Sequence, residues 1–242
     1  MIAEITSANQ KTKTTDLQIM EKYEITNLNK IKRIPERGHY DKNTLYNILD
    51  DGFLCHLGFT VDNQVFVIPT LYGRNGNTVY IHGASTSRLL KNLQKGIQVC
   101  LNVTHLDGLV LARSAFHHSM NYRSAVVFGS ATIIPDGEKE TALRVISENI
   151  IQGRWEEVRK PNAKELKATT VLALEIKQAS CKIRTGPPLD ENPDYELNVW
   201  AGTVPMQIRY SPPVTDELLK EGIPLSQSVH KFANINQGQP KP

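Results

Sequence analysis

From residue 53 to residue 133 the chain is a succession of short β-forming runs separated mostly by brief turns, and that spacing limits its fold more than any other feature. Phe53-Leu54-Cys55-His56-Leu57-Gly58-Phe59-Thr60 alternates loosely between apolar and polar positions, Asp62-Asn63 supply a turn, and Val65-Phe66-Val67-Ile68-Pro69-Thr70-Leu71 runs back. Arg74-Asn75-Gly76-Asn77 is a hairpin turn into Thr78-Val79-Tyr80-Ile81-His82. Two separate strands over 98–104 and 108–112 follow, then a long one over 122–133 and another over 169–176. Sequential strands joined this closely pair antiparallel, because a parallel neighbour needs a crossover of a dozen residues or more. The expectation is a mainly β chain with inserted helices, closed as an antiparallel barrel.

Helical periodicity appears over 41–50, where Asp41 can cap and Leu45, Ile48 and Leu49 share a face, and over 138–151, where Ala142, Leu143, Ile146 and Ile150 do. Residues 1–30 are polar and read as an arm, flexible or lying on a partner subunit; 31–188 read as the folded domain. Residues 189–242 read as an extended tail rich in Pro, Asn, Asp and Glu, pinned to the body by Trp200 and Met206.

At 242 residues and 40% hydrophobic the chain can bury one good core. A net charge of +3 with cations and anions interspersed offers no footprint for nucleic acid. No run approaches the roughly 18 apolar residues of a membrane span, and the first residues lack a basic-then-apolar leader. Cys55, Cys100 and Cys181 are odd in number and widely spaced, which suits reduced thiols in a cytoplasmic protein. No metal site is expected: adjacent His117 and His118 would diverge on a strand or a helix, and the other histidines lack ligand spacing. Nucleophile elbow, dinucleotide fingerprint and Walker loop are all absent.

The strongest functional signal lies where the strand at 78–82 gives way to a helix. Gly83-Ala84 lets the backbone turn, Ser85-Thr86-Ser87 are placed over the first helical turn, and Leu89, Leu90 and Leu93 recur at helical spacing before Gly96. Helix starts offer unpartnered amides and a favourable dipole for anions, and Arg88 adds a guanidinium fork. A serine cap beside a solvated arginine reads equally well. His82 ends the strand next to this turn, and Pro69-Thr70-Leu71-Tyr72 offers a strand end whose backbone could meet a flat heterocycle. Arg154 and the Arg159-Lys160 pair are either a basic surface loop or a second source of positive charge.

Several motifs together resemble the pyridoxamine 5′-phosphate oxidase-related flavin-binding proteins, in the branch that includes nitroimidazole-resistance proteins. They are Arg33-Ile34-Pro35-Glu36-Arg37-Gly38-His39-Tyr40-Asp41, Ile68-Pro69-Thr70-Leu71, the run from Tyr80 to Arg88, and Asp107-Gly108-Leu109-Val110-Leu111-Ala112-Arg113-Ser114. The last continues through Phe116-His117-His118 to Asn121-Tyr122-Arg123-Ser124, and Gly153-Arg154-Trp155 and Lys182-Ile183-Arg184-Thr185-Gly186-Pro187-Pro188 extend the match. The resemblance implies a split β-barrel homodimer with FMN between the subunits. It would place Ile68, Pro69, Thr70, Leu71 and Tyr72 along the isoalloxazine, His82 and Gly83 beside the ring, and Ser85, Ser87 and Arg88 on the phosphate. Ser124 falls where the oxidases place a flavin-contacting polar residue of another type, and Asn121, Tyr122 and Arg159 would complete the cleft from the other subunit.

It further implies an FMN-dependent oxidoreductase for a small planar substrate, with His82 as the catalytic candidate. The alternatives are a nitroaromatic reductase, a non-catalytic flavin-binding or sensing module, and haem binding, which some relatives of this barrel show. Leu71-Tyr72-Gly73-Arg74 lacks the substrate-phosphate lysine of the true oxidases, and Arg184-Thr185-Gly186 lacks their C-terminal arginine–histidine grip. Oxidation of pyridoxamine phosphate itself is therefore not expected.

Overall fold

The structure, a computed structural model, describes residues 21–238. Asp41 caps the first helix, α1 (Lys42–Asp50), by accepting the Thr44 amide at 2.8 Å, and Leu45, Ile48 and Leu49 form its buried face. The strand β1 (Gly38–His39) precedes it; β2 (Leu54–Val61), β3 (Gln64–Asn75) and β4 (Thr78–Ala84) follow. The β2–β3 turn holds Asp62 and Asn63 at φ of 49° and 60°, the left-handed geometry that matches the twist of a two-residue hairpin. The short helix α2 (Arg88–Leu93) is followed by a turn through Gly96, whose φ of 73° makes glycine the comfortable residue there.

Next come β5 (Gln98–Leu111), β6 (Ser119–Ile133), α3 (Lys139–Ile150), α4 (Arg154–Glu157), α5 (Ala163–Ala168), β7 (Thr169–Glu175) and β8 (Gln178–Arg184). The two strands expected over 98–104 and 108–112 are one: pairing with β6 carries through Asp107, where the register shifts between Leu106 and Gly108. Gly108 reads as a break, yet it sits inside a ladder whose next strand, β9 (Gly202–Pro205), passes so close that a Cβ would lie 3.0 Å from the Val204 carbonyl.

Strand pairing closes a barrel. β6 pairs β7, β7 pairs β4, β4 pairs β3, β3 pairs β2, β2 pairs β5 and β5 returns to β6, all antiparallel. β8 and then β1 extend the sheet from β6, and β9 extends it from β5. Alternation fills the interior: Cys55, Leu57 and Phe59 of β2 are buried while Leu54, His56 and Thr60 face outward. Burial raises the Cys55 and Cys181 thiols to about 12, so both stay protonated.

Outside the barrel α3 lies across β3, β4 and β7. Its approach depends on Gly73, where a Cβ would sit 2.7 Å from the Ile146 Cα and the Val145 carbonyl. The Asn149 amide fixes the far end of α3, donating to the carbonyls of Gly52 at 3.0 Å and Tyr72 at 2.9 Å.

Of the expected N-terminal arm, residues 1–20 lie outside the described residues, while 21–30 are seated on the body. The Tyr23 hydroxyl donates to Asn77 at 2.6 Å and the Asn29 amide to the Ala179 carbonyl at 3.1 Å. The tail is tied down differently from the sequence expectation. Asp190 takes the Arg113 amide at 2.9 Å and its guanidinium at 3.1 Å, β9 joins β5, and the Met206 amide reaches the Asp107 carbonyl at 2.9 Å. Trp200 itself is 66% exposed and packs over Gly202. The helix α6 (Gln227–Gly238) returns to α4, where Glu157 accepts the Ser228 amide at 2.8 Å.

Candidate functional site

A gap in the barrel wall defines the site. β3 pairs with β2 through residues 64–71 and with β4 only from Tyr72 onward, whereas β4 pairs with β7 along its whole length, 78–84. Between residues 68–71 of β3 and 82–84 of β4 no ladder closes the two facing edges, so a wedge opens above the Tyr72–Ile81 pair. Backbone groups on such edges need partners from outside the ladder. Pro69 removes one donor, which suits an edge.

His82 stands at this wedge on the outward side of β4, opposite Val171 of β7. Its Nδ1 is buried and has no hydrogen-bond partner among the described residues, and burial holds its pKa below the ordinary histidine value. A buried ring nitrogen without a hydrogen-bond partner is uncommon and marks His82 as the candidate polar contact at this edge. Structural histidines are normally satisfied.

The turn after β4 caps the wedge. Its sequence placement needs correction: α2 begins at Arg88, so Ser85 and Thr86 precede the helix and Ser87 is its N-cap. The Ser85 amide is committed to the Ala168 carbonyl and the Ser87 amide to the Ala84 carbonyl, both at 2.9 Å. Neither amide is free for an anion. The Ser87 side chain makes no capping bond, and Ala84 and Thr86 are exposed, so the turn is open. Amides at the first three helical positions lack intrahelical partners by geometry. The Arg88 side chain lies outside the described residues. Gly83 serves packing rather than a sharp turn: a Cβ there would be 3.0 Å from Leu90, which seats α2 on the barrel.

The other candidate residues divide into those that face the wedge and those that do not. Ile68 and Thr70 are half-buried and Pro69 and Leu71 exposed along its β3 edge. Tyr72 is fully buried, its hydroxyl bonded to the Leu49 carbonyl, so only its backbone reaches the site. Asn121, Tyr122 and Ser124 sit together on β6 between β5 and β8, apart from the wedge in the chain's pairing order. Asn121 is committed: its amide donates to the Gly186 carbonyl at 3.1 Å and its oxygen accepts from Arg184. Ser124 donates to the Lys182 carbonyl at 3.3 Å. Arg159 grips Glu165 at 2.7 Å and pulls that carboxyl down to about 2. It belongs to a surface clasp on α5.

Comparison with known proteins identifies the architecture. The family model described as pyridoxamine 5′-phosphate oxidase matches residues 41–183. The chain belongs to that family. Among solved structures, the flavocytochrome Anf3 from Azotobacter vinelandii is 40% identical over 85% of this chain and 96% of its own, with a TM-score of 0.81. The FAD and heme binding protein from Mycobacterium smegmatis is 36% identical over 81% of this chain and 96% of its own, at 0.78. A candidate 5-nitroimidazole antibiotic resistance protein from Bacteroides thetaiotaomicron is 22% identical over 60% of this chain and 86% of its own, at 0.52, and shares the fold. No curated protein matches.

Among the described residues no group of three His, Cys, Asp or Glu side chains gathers as a metal site would, and no helix is long and apolar enough to cross a membrane. Sequence reasoning missed Arg184, which it took only as part of a motif. It ends β8 at 6% exposure with its charge met by carbonyl and amide oxygens alone. Alternation in β8 hid it: Ala179, Cys181 and Ile183 face the core, while Arg184 falls with Gln178, Ser180 and Lys182 on the other side.

Proposed function

We propose that this chain is a flavin-binding oxidoreductase whose isoalloxazine enters the wedge between β3 and β4. The observation that carries the reading is the combination of two unpaired strand edges with the buried, unpartnered Nδ1 of His82. The edge at Ile68, Thr70 and Leu71 would meet the polar rim of the ring, and Gly83, Ser85, Ser87 and Arg88 the ribityl phosphate. A flavin supplies electron transfer when bound; this chain supplies orientation and the exclusion of water. His82, neutral at pH 7, would hold a hydrogen bond to the ring system or pass a proton to a substrate stacked on it.

The sequence resemblance implied FMN. Two of the similar solved structures are named for a flavocytochrome and for FAD and heme, and this supports FAD together with haem as the cofactor set. Among the described histidines, His118 accepts the Ala112 amide at Nδ1, so its proton sits on Nε2 and that nitrogen cannot bind iron. His105 uses Nε2 on the Ile48 carbonyl. His56 is exposed on β2 between the outward-facing Leu54 and Gly58, on a face that also carries Val65, Val67 and Leu71. Its exposure on an apolar face makes it the haem-ligand candidate of this reading. That same apolar face supports a homodimer with the wedge at its border.

Titrating the purified protein with FAD, FMN and haem tests the reading. Quenched flavin fluorescence and a Soret band that His56→Ala abolishes are expected; absence of flavin uptake would falsify the core of it. Turnover of a quinone or nitroaromatic with NAD(P)H separates an enzyme from a binding module.

A further inference from the structure

At the opposite end of the extended sheet, cations outnumber acids: Glu36 is the one carboxylate in the 30–37 segment, and it forms no ion pair among the described residues. β1 pairs with β8 so that Gly38 faces Lys182 and His39 faces Cys181, which brings Arg37 alongside the end of β8, where Arg184 lies. Lys30, Lys32 and Arg33 precede it on the same segment, all exposed. Among the described residues none of Lys30, Lys32, Arg33, Arg37, Lys182 or Arg184 forms an ion pair with a carboxylate.

Arg184 is 6% exposed, and its Nη1 and Nη2 groups donate to Asn121, to the Gly186 carbonyl at 3.3 Å and to the Pro187 carbonyl at 3.1 Å. Its Nε–H donates to nothing among the described residues. Asn121 is locked as an acceptor by its own bond to Gly186, so it positions the guanidinium and neutralises nothing. Proximity of Arg37 destabilises the charged form of Arg184 further. The β1–β8 register brings the Arg37 segment to the end of β8, and with no carboxylate paired to either arginine an anion between them would offset their repulsion.

The segment that carries Arg37 is built under strain. Ile34, a β-branched residue, takes φ 55° and ψ 64° immediately before Pro35. Lys182 clamps this turn through the Arg33 carbonyl at 2.8 Å, and Gly38 fits so tightly that a Cβ would lie 3.0 Å from the Pro35 carbonyl. Strained backbone held by specific contacts is characteristic of ligand clamps.

We propose that Arg37 and Arg184 form a binding site for a phosphate group, separate in the chain from the turn after β4. Phosphate fits better than carboxylate because it carries close to two negative charges at pH 7, matching the two cations, and because the Arg37 fork can take two of its oxygens while the Arg184 Nε–H meets a third. The phosphate could belong to the adenylate half of a dinucleotide or be a free phosphate.

Thermal unfolding of the full chain in inorganic phosphate, against chloride at equal ionic strength, tests the site without any flavin. Wild type should be stabilised, and Arg37→Gln should bind phosphate roughly tenfold or more weakly. Lys32→Gln removes the same charge from the exposed surface and should behave as wild type. An equal response in wild type and Arg37→Gln, or an equal loss in Lys32→Gln, overturns the proposal. FAD and FMN titrations identify the source: weaker FAD with unchanged FMN in Arg37→Gln points to a dinucleotide, and both flavins unchanged to free phosphate. A wild type that takes up no flavin yet passes the phosphate test sinks only the flavin reading.

Discussion

His82 shows how one residue can be placed by sequence yet understood only in the fold. Its position at a strand end beside Gly83 and Ser85 was legible, because β-formers and small residues mark that junction. That its Nδ1 would be buried without a partner was not, since this depends on β7 and the packing around β4. The burial has a measurable sign. A histidine whose folded pKa lies below its unfolded value is protonated first in the unfolded chain, so stability falls as pH drops below about 6.5 and is unaffected above it. His82→Gln should flatten that acid-side decline in a melting-temperature series from pH 7.5 to 5. An unchanged slope would show that another group carries it. Tyr72 marks the limit of reading by motif: its neighbours Ile68 to Leu71 run along the wedge, but alternation turns its ring into the barrel.

At the scale of elements, α1, the hairpin turns and α3 followed from local chemistry: an aspartate cap, left-handed turn residues and a 3.6-residue apolar period. β8 and α6 escaped notice because their apolar pattern is weak and their partners lie far away in sequence. The contact between α3 and the barrel yields a sharp expectation. Gly73→Ala should cost about 2–4 kcal/mol by denaturant midpoint, because the added methyl meets helix backbone that cannot yield as a side chain would. Asp41→Ala should cost only about 1 kcal/mol, the ordinary value of a lost cap. If the two losses were alike, α3 would be free to move and the close packing at Gly73 would carry no energetic meaning.

For the whole molecule, the barrel leaves an outward face on β2 and β3 where Val65 and Val67 are 65% and 62% exposed. Apolar surface gathered in this way marks an interaction site. The homodimer proposed on this face predicts that Val67→Asp is monomeric in sedimentation equilibrium where the wild type is dimeric, with weaker flavin uptake; a monomeric wild type overturns it. A variant that stays dimeric would move the interface elsewhere. The closed-barrel class was readable from strand spacing alone, but the split that makes the wedge was not. It arises because β3 changes partners between Leu71 and Tyr72, and nothing in that dipeptide announces the exchange.

The clasp between Asp190 and the β5–β6 loop ties amides at Arg113 and Ser114 to a carboxylate 77 and 76 positions later. On a growing polypeptide the tip of that hairpin therefore stays unlatched until translation has passed nearly the entire barrel. A chain ending at Pro188 should fold its barrel yet be nicked by trypsin at Arg113, where the full chain resists.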